Sequence, residues 1–86
     1  MPEICRFLGI VITMYHNDHV PPHFHARYAG HRASIDLASV AVLSGSLPPR
    51  ALGLVVEWAK LHEAELREDW FRASRGEALL LIAPLE

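Results

Sequence analysis

Four of the six histidines in this 86-residue chain, His16, His19, His23 and His25, fall within ten residues of one another, and Asp18 lies among them. Imidazole nitrogens and a carboxylate are the donor set of divalent transition metals such as zinc, nickel and iron, so Asp18, His19, His23 and His25 are candidate ligands. The same groups suit chemistry without a metal. One imidazole can take a proton while a second gives one, and Arg27 can steady the anion of a phosphodiester under attack. A bland reading stands beside both: the histidines and Asp18 satisfy backbone groups around a proline-fixed loop, with no turnover. The spacing permits the metal set without being a signature for it.

The segments around this stretch must position it. Ile4 to Tyr15 reads as one strand, with Leu8, Ile10, Ile12 and Met14 on one face and Phe7, Val11, Thr13 and Tyr15 on the other. Two largely apolar faces suit an interior strand. His16 to Pro22 is a loop, because Asn17 and Asp18 favour turns and Pro21-Pro22 cannot donate hydrogen bonds. His23 to Tyr28 is a second strand, Ala29-Gly30 a turn, His31 to Leu37 a third strand and Val40 to Leu43 a fourth, broken by Ser44-Gly45-Ser46.

A two-residue turn at Ala29-Gly30 sets the register. It pairs Tyr28 with His31, Ala26 with Ala33 and Phe24 with Ile35, apolar against apolar. The same register puts His25 opposite Ser34 and His23 opposite Asp36, and a carboxylate there would orient His23 and raise its basicity. Arg27 then faces Arg32, a clash of like charge that calls for an anion, a splay or a bulge, while His31 and Arg32 read as solvated residues flanking the turn. The first strand pairs on the other side, with Thr13 opposite His25 and Tyr15 opposite His23. His23, His25 and Arg27 share a face, since side chains alternate along a strand.

Pro48-Pro49 opens a helix that reads as continuous to about Ser74 and stops at Gly76. Ala51, Val55, Trp58, His62, Leu66 and Trp70 make one stripe at helical spacing. The phase favours packing that stripe on the apolar Phe24 face, which keeps His62 and Glu57 away from the histidine face. The expected fold is α+β: one domain over residues 1–86, an antiparallel meander of about four strands packed on one long C-terminal helix, with room for a short final strand over Ala78 to Ile82.

Composition narrows the function classes. Hydrophobic residues make up 51% and charged residues 21%, as in globular chains. Cys5 is the only cysteine, which excludes an intrachain disulfide framework and a cysteine-rich zinc module. The Met-Pro-Glu start is not that of a signal peptide, and the apolar runs are far too short to span a bilayer, so a cytoplasmic protein with no membrane association is expected. A net charge of −2 argues against broad non-specific nucleic-acid binding, while leaving a small basic or histidine-lined cleft open. So small and apolar a domain is expected to complete its core against a partner or a second copy.

Several runs together resemble the bacterial domain-of-unknown-function family 4160. They are Met1-Pro2 to Arg6-Phe7, Gly9-Ile10-Val11-Ile12, Met14-Tyr15, and Asn17-Asp18-His19 followed by Pro21-Pro22-His23-Phe24-His25-Ala26. Ala33-Ser34-Ile35-Asp36, Gly45, Leu47-Pro48, Arg50-Ala51, Glu57-Trp58, His62, Glu65-Leu66, Trp70 and Pro84-Leu85 fit as well. The most specific part is Asn-Asp-His-x-Pro-Pro-His-Phe-His. The resemblance implies a small prokaryotic protein, often encoded beside a second short protein in an arrangement like a toxin–antitoxin pair. It implies a small protein partner and makes RNA a conceivable target, but it carries no catalytic residues. Three expectations result. The first is a toxin–antitoxin-like component cutting RNA with His23 and His25, Asp36 orienting His23 and Arg27 binding phosphate. The others are a non-catalytic binding or regulatory module, and a metal-binding protein.

Overall fold

The computed structural model describes residues 2–85. Its order is β1 (Glu3–Phe7), β2 (Ile10–Thr13), β3 (His23–Tyr28), β4 (His31–Asp36), β5 (Val42–Gly45), α1 (Pro49–Leu61) and α2 (Glu63–Ser74). The five strands form one antiparallel sheet in sequence order, β1-β2-β3-β4-β5. The architecture is α+β, with the strand count and the helix differing from expectation.

The expected single strand from Ile4 to Tyr15 is two strands joined by a two-residue turn. Leu8 and Gly9 both take positive φ, at 50° and 80°, the primed turn geometry that matches the twist of a hairpin. Ala29 and Gly30 repeat it, at 47° and 84°. The first turn is hidden in the sequence because Leu8 is apolar and keeps the alternation unbroken. The fold turns there nonetheless, and Leu8 is left 64% exposed at the tip.

The register read around Ala29-Gly30 is the one observed, with His23 opposite Asp36, His25 opposite Ser34 and Arg27 opposite Arg32. Thr13 faces His25 on the other side. The ladder between β2 and β3 ends at that pair, so Tyr15 lies beyond it rather than opposite His23.

One sheet face is the core. Ile10, Ile12, Met14, Phe24, Ala26, Ala33 and Ile35 are buried there with Ala51, Val55, Trp58, Leu66 and Ala73 of the helices. The helices therefore cover the Phe24 face; His23 and His25 lie on the other side of the strand, with His23 at its end and within reach of Trp70 from α2. Trp58 is fully buried between Phe7 and Phe24, with ring centroids at 5.7 and 6.0 Å. Truncating such an aromatic costs about 3–5 kcal/mol.

The expected single helix is two helices that meet at His62. The backbone of His62 leaves helical geometry at φ −120°, ψ 30°, and its N–H is shared between the carbonyls of Trp58 and Ala59. No proline or glycine marks the break, which is why the apolar stripe running through it reads as one helix. His62 instead binds Glu65 on the next turn, Nδ1 to Oε1 at 2.6 Å. The expected final strand does not form. Ile82 N–H reaches Ile4 O at 2.8 Å, but the neighbouring donor, Leu80 N–H, goes to the buried carboxylate of Asp69 at 2.9 Å. Trp58 Nε1–H donates to Ala83 O and completes the tether of this extended segment.

Candidate metal centre

Asp18, His23 and His25 converge at the N-terminal end of β3. Each offers one donor atom, and the three lie within 4.8 Å of one another. Asp18 Oδ2 is 3.1 Å from His23 Nε2 and 3.3 Å from His25 Nε2. The two rings meet edge-on with centroids 5.0 Å apart.

The strand places the histidines, and the preceding loop places the carboxylate. His23 and His25 project on one side because they are two apart in β3. The loop is tied down at several points. Asn17 N–H donates to Ala73 O, His16 Nε2–H donates to Glu77 O at 2.8 Å, and Leu37 N–H donates to Pro22 O at 2.9 Å. Asn17 sits at φ 55°, a left-handed conformation that asparagine tolerates, and this turns Asp18 back over the strand.

Hydrogen bonds fix the chemistry of each donor. His23 Nδ1 lies 2.8 Å from the carbonyl of Pro21. A carbonyl only accepts, so this nitrogen carries a proton, and Nε2 is the ring atom turned to Asp18. Either a proton or a cation stands between Nε2 and Asp18 Oδ2. His25 Nδ1 lies 3.3 Å from Ser34 Oγ, and Asp18 Oδ1 accepts the N–H of His19 at 2.8 Å. Each donor is thus held from behind by an outer hydrogen bond, the arrangement that orients metal-ligating histidines and carboxylates.

The separations suit either bridge, proton or metal ion. Charge-assisted N–H···O bonds run about 2.7–2.9 Å. A tetrahedral ion bonded at about 2.0–2.1 Å sets its ligand atoms about 3.3 Å apart. The two Asp18 distances here, 3.1 and 3.3 Å, are compatible with the edges of a metal tetrahedron as well as with hydrogen bonds. Desolvation is the largest influence on Asp18 and raises its pKa. The His19 N–H, the hydrogen bond from His25 and the charges of both imidazoles together outweigh it, holding the carboxyl below its ordinary range.

Access is graded. The His23 side chain is 11% exposed and that of His25 31%. Trp70 of α2 closes over His23, with centroids at 5.6 Å, and the edge of Tyr15 meets His25 at 4.8 Å. Beyond His25 opens a pocket of about 280 Å³, lined by Thr13, Tyr15, His25, Ala26, Arg27 and Arg32.

The remaining sequence candidates lie as follows. His19 is exposed and serves the cluster through its backbone N–H, its ring not being among the converging donors. Asp36, expected to orient His23, spends Oδ2 on the N–H and hydroxyl of Ser39, at 2.8 and 2.7 Å, and the carboxylate that meets His23 is that of Asp18. Arg27 is exposed beside His25 in the pocket, away from the Asp18 end. Trp70 packs against the core as expected, but its contact with His23 was not foreseen, nor was Arg32 as a pocket wall. The like-charge opposition of Arg27 and Arg32 was the available signal for the second.

The fold and cluster define a small α+β protein with a three-donor His-His-Asp centre set between a sheet and a loop. The chain belongs to the family described as a domain of unknown function, DUF4160, whose model matches residues 9–71. No curated protein and no solved structure matches it.

Proposed function

We propose that this protein binds a divalent transition-metal ion, of which zinc is the leading case, through Asp18 Oδ2, His23 Nε2 and His25 Nε2. The observation that carries this reading is the convergence of three donors: His23, its Nδ1 proton committed to Pro21 O, turns Nε2 toward Asp18 Oδ2 at 3.1 Å, and His25 Nε2 lies 3.3 Å from the same oxygen. Three protein donors leave a further position free, as in catalytic rather than structural zinc sites. The ion would supply Lewis-acid chemistry to a ligand entering beside His25. The chain's own groups hold it: Pro21 O and Ser34 Oγ fix the rings, His19 N–H fixes the carboxylate, and Trp70 keeps bulk water off His23. The test is zinc titration of metal-stripped protein by calorimetry, with elemental analysis of untagged protein. One saturable equivalent, lost in His23→Ala, is expected. Absence of saturable binding of zinc, nickel or ferrous iron would overturn the reading.

A second reading uses the same face without an ion. His23 and His25 move protons and Arg27 holds the anion while RNA is cut, the protein being one member of a toxin–antitoxin-like pair in the cytoplasm. The open pocket joining His25 to Arg27 favours it. A small protein partner would meet edge strand β5, where Val42 and Leu43 are 38% and 48% exposed. Among the described residues no helix is long and apolar enough to cross a membrane. Growth arrest that His23→Ala relieves, with RNA cleavage that persists under chelation, would favour this reading over the first. Activity lost on chelation and restored by zinc would sink it.

A further inference from the structure

Arg27 and Arg32 stand directly opposite each other on β3 and β4. Directly opposed side chains on an antiparallel pair have Cβ atoms about 4.5–5.5 Å apart, and like charges there are destabilising. Both residues are exposed, and among the described residues neither guanidinium makes a hydrogen bond or an ion pair. The carboxyl of Glu3 feels the charge of Arg27 but is itself held by two bonds from Arg6, at 3.0 and 2.8 Å. Five donors on each guanidinium are therefore free on one face of the sheet.

That face is the histidine face, and the two arginines wall the same pocket as His25, Thr13 and Tyr15. Arg27 follows His25 by two residues, about 6.6 Å along the strand, within the reach of an arginine side chain to the donor cluster. The backbone of Arg32 is closely packed. Gly45, at φ 75°, lies so close to the Arg32 carbonyl that an added Cβ would collide with its oxygen, which also accepts the N–H of Ser46. The fold thus keeps both arginines in the lining of one opening beside His25.

We propose that the Arg27–Arg32 pair is an anion subsite that receives the phosphoryl group of a phosphate ester, presenting it to the ion at Asp18, His23 and His25. This rests on the metal reading for the role of the ion, while binding at the arginines stands by itself. The chemistry is that of paired guanidiniums, which take the oxygens of a tetrahedral anion in a bidentate manner. A bound dianion also removes the repulsion between the two side chains. The ester is carried either by a small phosphomonoester or by single-stranded nucleic acid, which share this phosphoryl chemistry.

The experiment is NMR titration of the full chain, metal-free and zinc-loaded, with three probes: inorganic phosphate, a phenyl phosphomonoester and a short single-stranded oligonucleotide. Chloride at equal ionic strength is the control for bulk salt. Saturable shifts at Thr13, His25, Arg27 and Arg32 are expected with phosphate even without zinc. Arg27→Gln and Arg32→Gln should each weaken binding about tenfold or more, while leaving zinc affinity unchanged and thermal stability equal or higher. Arg27→Lys, which keeps the charge but not the fork, should fall between. A preference for the phenyl phosphomonoester assigns the subsite to small esters, and one for the oligonucleotide assigns it to nucleic acid. Failure of all three probes to bind saturably, or binding that survives both glutamine variants, overturns the subsite even if zinc binds. Phosphate binding in a protein that takes no metal upholds the subsite and fails the metal reading instead.

Discussion

Asp36 stands directly across the strand pair from His23, yet its carboxylate turns away to cap the Ser39 turn, and His23 meets Asp18 instead. Backbone adjacency and side-chain partnership are separated here by a local competitor. Ser39 offers Asp36 two donors three residues away, which no cross-strand imidazole can match. Asp18→Asn should therefore weaken zinc binding by about 100-fold or more, whereas Asp36→Asn should leave it nearly unchanged. Calorimetric titration of the two variants checks this, and equal losses would return Asp36 to the site.

Ser34 lies behind His25, with Oγ at 3.3 Å from Nδ1. Removing an outer partner of a ligand histidine typically costs 10- to 100-fold in metal affinity. Ser34→Ala should show a loss of about tenfold with little change in melting temperature, read by competition with a chromophoric chelator. An unaltered affinity would mean that Ser34 contributes nothing to the ring's orientation.

Asp36 also gives a pH signature. The Ser39 hydroxyl, then the Ser39 N–H, hold its carboxyl below the ordinary 3.8. A carboxyl depressed in the folded state binds fewer protons than in the unfolded chain, so its stabilising contribution is present above the unfolded value and is lost as pH falls through the folded one. The stability difference between the wild type and Asp36→Ala should be constant near neutrality and shrink below about pH 4. Denaturant melts across that range test it, and a difference that persists in acid would assign the turn's stability to something other than the ionised carboxylate.

Asp69 is fully buried and holds Arg72 Nη1 and Leu80 N–H, each at 2.9 Å, on a single oxygen. Asp69→Ala should destabilise the fold by about 3 kcal/mol, the low end for breaking a buried pair because Arg72 is partly exposed. Hydrogen exchange should locate the loss in residues 78–83. A uniform loss of protection across the sheet would show that the carboxylate supports more than the C-terminal segment.

The register of β3 and β4 was legible because a two-residue turn and matched apolar pairs leave one solution, and with it came the shared face of His23, His25 and Arg27. The first hairpin was not, because Leu8 continues the alternation through a turn that only Gly9 betrays. The break at His62 carried no proline or glycine to announce it. Within the cluster, the candidacy of Asp18, His23 and His25 follows from residue type. Which carboxylate meets His23 depends on the path of a loop and on Ser39, neither of which periodicity describes. Trp70 reads as core from its stripe and packs there, while its contact with His23 at the end of β3 is not something helical spacing describes.

The loop that carries Asp18 is moored to the far end of α2, through Asn17 to Ala73 and His16 to Glu77, while both imidazoles belong to the sheet. The cluster is consequently a joint between two layers rather than a property of either. A ligand bridging it adds its binding energy to their docking, by the linkage that makes any native-state ligand a stabiliser. Conversely, whatever lifts the end of α2 from the sheet draws Asp18 away from its partners, so occupancy of the cluster and seating of the helix become two readings of one equilibrium.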